Sequence, residues 1–211
     1  MSSISNFPGT PSASAGGHTA PIPEAAAADI PGLEALLSGS RDEAALLLAI
    51  ARSLDAQCIF EFGPHETARS AALTRELGDG AHAVVTGRGV PSPAQTAEDY
   101  ARMLKPEAIA RAKTVKHADA FYGEGAHLAY APWIGACDLV IVNASGDAAH
   151  TKCDSLTALH LVRPDGIVLW CDYGRVPAMT ECLDELYGRV ERLRSLRRLP
   201  GTSLCLWRSR S

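Results

Sequence analysis

The sequence lacks the signals that direct a chain to a membrane or to an oxidising compartment. No Lys or Arg precedes Arg41, so neither the basic start of a secretory signal nor the arginines of a transit peptide are present. No apolar run is long enough to span a bilayer. The six cysteines include no Cys-x-x-Cys pair, which favours free buried thiols. We therefore expect a cytoplasmic protein with no membrane partner.

An excess of basic charge is also missing. Lys and Arg number 20 against 24 Asp and Glu, giving a net charge of -4, so a nucleic-acid partner is not expected. Hydrophobic residues make up 46% of the 211, enough for the core of one domain. Residues 1–28 are rich in Ser, Gly, Ala and Pro, so we expect a disordered tail there and one α/β domain over residues 29–211.

Short apolar runs alternate with helical patterns along the domain. Strands are predicted at 58–62, 81–86, 114–117, 139–142 and 167–170. Helices are predicted from a capping box at Ser40, and at 66–77, from Ser92, at 151–162 and at 179–190. This alternation predicts a Rossmann-like, doubly wound, mostly parallel sheet with helices on both faces. Segments 196–199 and 203–207 flank Pro200-Gly201 and indicate a C-terminal antiparallel hairpin.

Ligands of such sheets bind where the strands end at their carboxyl edge. The first strand ends in Glu61-Phe-Gly63-Pro-His-Glu-Thr67, where a glycine allows a sharp turn before the free N–H groups of a helix. A nicotinamide site would have Gly-x-Gly-x-x-Gly here, and this turn does not. The same crevice offers His65, His150 and Asp172 as catalytic acid–base candidates. His150 could instead be a surface residue at a helix start, and Asp172 could cap a loop.

A series of motifs in fixed order resembles the class I S-adenosylmethionine-dependent methyltransferases, specifically the methyltransferase-24 group. The motifs are Glu61-x-Gly63, the turn 77–80, the Val-Val-Thr strand, Asp138-Leu-Val-Ile-Val142, Leu161-Val-Arg-Pro-Asp-Gly166, Trp170-Cys-Asp-Tyr173 and Pro200-Gly-Thr-Ser-Leu204. The resemblance implies methyl transfer from S-adenosylmethionine to a small-molecule acceptor, with O-methylation expected. An aromatic acceptor and a homodimer are both compatible with it.

The resemblance also implies roles for individual residues. Glu61 and Gly63 would lie near the methionine end of the cofactor, with Pro64, His65 and Thr67 in the same turn. Arg88 would take the ribose position, and Asp119 would lie beside the adenine. Asn143 and Ala144 would face the transferred methyl group and the acceptor.

Three positions depart from the family pattern. Thr67 replaces a second glycine and restricts the backbone. Arg88 replaces an acid that would accept from the ribose hydroxyls, a loss of about 1–3 kcal/mol. Asn143 replaces an aspartate, so of the acids that hold a metal in catechol-type relatives only Asp172 remains, and no metal is expected. Two alternatives therefore stay open, a non-catalytic binding or assembly protein and a phosphate-bearing ligand at Arg88.

Overall fold

The computed structural model describes residues 21–25, 42–63, 69–78, 80–86, 115–118, 126–143 and 148–210. Over these residues seven strands form one sheet in the order β3-β2-β1-β4-β5-β7-β6. The strands are β1 Cys58–Phe62, β2 His82–Thr86, β3 Val115–Ala118, β4 Cys137–Val142, β5 Val162–Trp170, β6 Arg197–Arg198 and β7 Cys205–Arg208. Strands β1 to β5 pair in parallel, and β7 pairs antiparallel with β5 and β6. The predicted fold class, including the C-terminal hairpin, is confirmed.

Four α-helices accompany the sheet in the described residues. They are α1 Glu43–Ser53, α2 Arg69–Leu77, α3 Ala148–Leu161 and α4 Pro177–Arg189, with 3₁₀ helices at Ala126–Trp133 and Glu191–Ser195. The N-cap of α1 is Asp42, whose carboxylate accepts the N–H of Ala44 at 3.2 Å, so the predicted start at a Ser40 capping box is wrong. The helix predicted from Ser92 lies outside the described residues.

Side chains that alternate along the strands form an apolar core on each face of the sheet. One face carries Phe60, Phe62, Val140, Val142, Val168 and Trp170. The other carries Ile59, Leu139, Ile141, Ile167 and Leu169. Helices α3 and α4 cover the first face and helices α1 and α2 the second, as the buried residues of each helix show. Both faces are therefore dry, which is why β1 and β4 are apolar over most of their length.

The carboxylate of Asp138 joins three strands at the amino end of the sheet. Its Oδ2 accepts the N–H of Gln57 at 2.9 Å and that of Cys58 at 2.7 Å, and its Oδ1 accepts from the Arg163 guanidinium. Burial by itself would raise the pKa of Asp138, but these hydrogen bonds outweigh it and lower the pKa below the ordinary 3.8. The ionised carboxylate therefore stabilises the join of β1, β4 and β5.

We predict that Asp138→Asn lowers the free energy of unfolding by about 2 kcal/mol at pH 7, because one carboxylate oxygen becomes an amide donor facing donors. A carboxyl group whose pKa is lowered in the folded state stabilises the fold above its unfolded pKa and loses that contribution as pH falls through the folded pKa. The difference between native and variant should thus hold down to about pH 5 and shrink below about pH 4. Urea unfolding at a series of pH values measures it, with exposed Asp165→Asn as control. A difference that is unchanged at pH 3 would contradict the assignment.

Residues 21–25 lie within the predicted disordered tail, yet they pack on the domain. Ile22 is 4% exposed and belongs to the core that α3 and α4 cover, and Glu24 pairs in parallel with Arg198 of β6. For these five residues the structure differs from the predicted disorder, since Ile22 is buried and two main-chain hydrogen bonds join the segment to Arg198.

Two further expectations concern the same described residues. None of their helices is long and apolar enough to cross a membrane. All six cysteines are free thiols, and five of them are buried. Burial raises the pKa of Cys171 to about 12, so this thiol is a poor nucleophile near neutral pH.

Candidate functional site

The carboxyl ends of β1, β4 and β5 meet at one edge of the sheet and bring three predicted site residues there. These are Gly63 after β1, Asn143 after β4 and Asp172 after β5. Glu61 lies in β1 just before the edge, and His150 lies in the first turn of α3. The other predicted site residues lie outside the described residues: Pro64, His65, Thr67, Arg88, Asp119 and Ala144.

The Glu61 side chain is fully buried and is directed at the start of α2. One oxygen accepts the N–H of Arg69 at 3.0 Å, and the other accepts the N–H of Ser70 at 2.7 Å and its hydroxyl at 2.6 Å. These first N–H groups of a helix have no acceptor within the helix, so the carboxylate satisfies them. Burial raises the pKa of Glu61, and the hydrogen bonds from Ser70 and Arg69 offset part of that rise. Glu61 thereby links the end of β1 to the start of α2.

We predict that Glu61→Gln lowers the free energy of unfolding by about 1–3 kcal/mol, because an amide NH₂ would face N–H donors in a buried site. Chemical unfolding at pH 7 measures the change. The matched control is Glu76→Gln on the same helix, a side chain that is 50% exposed, which should change stability by less than about 0.5 kcal/mol. Equal effects of the two substitutions would contradict the role of Glu61 as the cap of α2.

Gly63 and Asn143 are in close contact where β1 and β4 end. A Cβ atom on Gly63 would lie 2.9 Å from the Asn143 Cβ and 3.2 Å from its carbonyl oxygen. The N–H of Asn143 donates to the carbonyl of Phe62 at 2.7 Å, which holds the two chain segments at this separation. The close approach of Asn143 therefore favours glycine at position 63.

We predict that Gly63→Ala lowers the free energy of unfolding by about 1–3 kcal/mol, since the added methyl group meets backbone and Cβ atoms that cannot move freely. Adding Asn143→Gly removes the contacting Cβ atom and should recover roughly half of that loss. Urea unfolding of the native chain, both single variants and the double variant measures the coupling. Strict additivity of the two single effects would show that the contact is not the cause.

Asp172 follows β5 with a left-handed backbone, φ +64°, and its side chain is 22% exposed. Its carbonyl accepts the N–H groups of Arg175 and Val176, so the turn is closed by main-chain hydrogen bonds. Its carboxylate lies 3.8 Å from Nη2 of Arg69, a loose ion pair that links the end of β5 to the start of α2. Another nitrogen of Arg69, Nη1, is buried and has no hydrogen-bond partner among the described residues. Asp172 is thus a partly accessible carboxylate beside a cation.

A second polar group lies next to this pair and was not predicted from the sequence. Glu43 accepts the N–H and the hydroxyl of Ser203 at 2.8 Å each, and Arg175 lies 3.3 Å from its carboxylate. Burial opposes ionisation, but the Ser203 hydrogen bonds and the charges of Arg175 and Arg69 lower the pKa of Glu43. The sequence carries no signal for this contact, because Glu43 and Ser203 are joined only through the packing of α1 on the hairpin.

His150 and Tyr173 have less direct relations to this edge. His150 is half-buried on α3, which covers the opposite face of the sheet from α2 and its Arg69. Tyr173 donates its hydroxyl hydrogen to Asp184 at 2.8 Å, and burial together with this bond raises its pKa to about 12. Tyr173 is therefore a structural hydroxyl rather than an acid or base near neutral pH.

Two other features complete the geometry of the described residues. A cavity of about 250 Å³ lies between α3 and α4, lined in part by Lys152 and Glu185, which form an ion pair at 2.8 Å. That volume is below the usual range of small-molecule sites, about 300–1,000 Å³. Among all the residues that the structure describes, no group of three or more His, Cys, Asp or Glu side chains could hold a metal ion.

Comparison with known proteins identifies the fold. No family model and no curated protein matches the sequence. The O-methyltransferase TomG from Streptomyces achromogenes, in complex with SAM, is 17% identical with a TM-score of 0.53 over 85% of this chain and 90% of that chain. The O-methyltransferase from Bacillus cereus, in complex with SAH, is 17% identical with a TM-score of 0.53 over 82% and 89%. Cofactor-bound Rv0187 from MTB is 16% identical with a TM-score of 0.55 over 85% and 87%. The chain has the Rossmann-like fold of class I methyltransferases.

Proposed function

We propose that this chain transfers a methyl group from S-adenosylmethionine to an oxygen atom of a small-molecule acceptor. The observation that carries the proposal is the similarity of the fold to two solved O-methyltransferases, with a TM-score of 0.53 over 85% and 82% of this chain. Both of those structures contain SAM or SAH. The methyltransferase-24 group remains a proposal based on the motifs.

The cofactor would lie at the carboxyl edge, and the described residues there fit a polar ligand. Gly63 gives a turn without a side chain, and Asp172 and Arg69 are polar side chains that are 22% and 29% exposed at this edge. Asn143 would border the ligand with a neutral amide. The roles of Pro64, His65, Thr67, Arg88, Asp119 and Ala144, implied by the resemblance, belong to the same proposal.

The bound cofactor supplies a methyl group that is already activated as a sulfonium. This chain's residues then have to align the acceptor and remove the proton of its hydroxyl group. Asp172 would accept that proton on its carboxylate, with Arg69 holding the carboxylate in place. His65 and His150 are the other proposed bases. No residue in the proposal requires a metal.

The proposal also covers the chemical class of the acceptor, the location of the protein and its oligomeric state. Tyr130 is 1% exposed and packs against Phe60 and Phe62 with ring centroids 5.4 and 5.8 Å away. Because Tyr130 belongs to the core, it is not available to contact an acceptor. An aromatic acceptor would have to be bound by other side chains. A cytoplasmic location, supported by the free thiols, and a homodimer are parts of the proposal as well.

A second candidate is a non-catalytic relative of these enzymes that serves in binding or assembly. Both oxygens of Glu61 are occupied by the start of α2, and Asn143 offers a neutral amide where an acid would be expected. These observations favour a site that has lost affinity for the cofactor while keeping the fold.

Calorimetry with S-adenosylmethionine and S-adenosylhomocysteine separates the two candidates. The first predicts saturable heat for both ligands with the native chain. No heat at millimolar ligand would leave the non-catalytic relative as the better account.

We predict that Asp172→Asn lowers the rate of methyl transfer about 100-fold, since a proton acceptor becomes a neutral amide. The affinity for S-adenosylhomocysteine should change little. Release of S-adenosylhomocysteine with a panel of hydroxylated small molecules measures the rate. The matched control is Asp165→Asn, an aspartate with a similar left-handed backbone, φ +63°, near the start of β5. Equal rates for both variants would remove Asp172 from the mechanism.

A further inference from the structure

Residues 21–25 lie along the edge of the sheet at β6. Arg198 donates its N–H to the carbonyl of Pro23 at 2.9 Å, and its carbonyl accepts the N–H of Ala25 at 2.8 Å. The Glu24 carboxylate forms an ion pair with the Arg198 guanidinium. The segment therefore forms one parallel β-bridge with the edge strand β6, although it comes from the other end of the chain.

Side chains on both sides of this segment enter the two cores. Ile22 is 4% exposed and joins the cluster that contains Tyr173, and its N–H lies 3.4 Å from the Tyr173 hydroxyl. Ala25 is 9% exposed and joins the opposite cluster beside Leu199. This is the alternation expected of a strand that inserts one apolar anchor and one small residue.

The prolines of the segment determine where pairing stops. Pro21 and Pro23 have no N–H to donate on the side of the segment that faces β6, the side to which the Pro23 carbonyl points, so they limit the ladder with β6. Without the segment, the main-chain groups of Arg198 and the apolar site of Ile22 would both be exposed. An uncovered edge with a side-chain pocket is the arrangement that binds extended peptides by strand addition.

We propose that the edge of β6 and the adjoining Ile22 pocket form a peptide-binding groove, occupied reversibly by this chain's own residues 21–25. The recognised pattern is proline, aliphatic, proline, acid, small residue. Two main-chain hydrogen bonds and two buried side chains hold the occupant, and its attachment to the same chain gives it an effective concentration of about millimolar. The groove reaches Tyr173, next to Asp172, but the proposal does not depend on methyl transfer.

A labelled peptide in trans tests the groove on the full-length chain. The probe is a fluorescein-labelled peptide of residues 19–27, titrated with the native chain and with Ile22→Asp while anisotropy is recorded. Because a carboxylate cannot occupy the apolar pocket, the variant's own segment should leave, and the peptide should bind it at least about 10-fold more tightly than the native chain. A control peptide carrying the same Ile22→Asp change should bind neither protein.

The outcomes against the proposal are equal affinity of the peptide for both chains, or no binding to a variant whose circular dichroism is native. If Ile22→Asp does not fold, hydrogen exchange on the full chain decides. Ala25→Pro removes the N–H that bonds to Arg198, whereas Ala25→Gly keeps it. The Arg198 amide should exchange about 10-fold faster in the proline variant, with β4 amides unchanged in both. Equal exchange at Arg198 would overturn the proposal.

Discussion

The candidate site depends on the hydrogen bonds that the buried carboxylate of Glu61 accepts from the start of α2. A buried charge is tolerated only where donors surround it, and the first N–H groups of a helix need acceptors that the helix cannot supply. The start of α2 gives this carboxylate three donors, so each requirement satisfies the other. The end of β1 and the start of α2 are thereby held together, next to Gly63 at the carboxyl end of β1.

Carboxylates accept main-chain hydrogen bonds at both the amino edge and the carboxyl edge of the sheet, where the strands begin and end. The consequences differ between the two. At the amino edge Asp138 accepts from Gln57, Cys58 and Arg163, and its contacts end in a closed join of three strands. At the carboxyl edge the main-chain N–H of Arg69 donates to Glu61. The guanidinium of Arg69 lies 3.8 Å from the carboxylate of Asp172. That loose pair leaves polar atoms partly accessible. The amino edge therefore serves stability, and the carboxyl edge is where a ligand can meet charged groups.

The architecture could be predicted because β1, β4 and the second half of β5 are short apolar runs with turn residues nearby. The run 58–62 matches β1, and β5 begins earlier than predicted because Val162 already pairs with Cys137 before the register shifts. The Glu43–Ser203 contact could not be predicted, since it depends on how α1 packs on the hairpin and no periodicity encodes that. Composition also failed at Ile22, because an average over a Pro- and Ala-rich tail hides a single apolar anchor.

Among the described residues, the ionisable groups near the carboxyl edge differ in what they can still do. Glu61 has both oxygens bound, Glu43 is engaged by Ser203, and Tyr173 has a pKa of about 12. Of the three carboxylates, that of Asp172 is the most exposed, at 22% against 17% for Glu43 and 0% for Glu61, and its pair with Arg69 is loose at 3.8 Å. A reaction that needs several acids and bases would find few of them here. A reaction whose donor is already activated needs alignment and one proton acceptor, which is the demand that a rigid edge with one accessible carboxylate can meet.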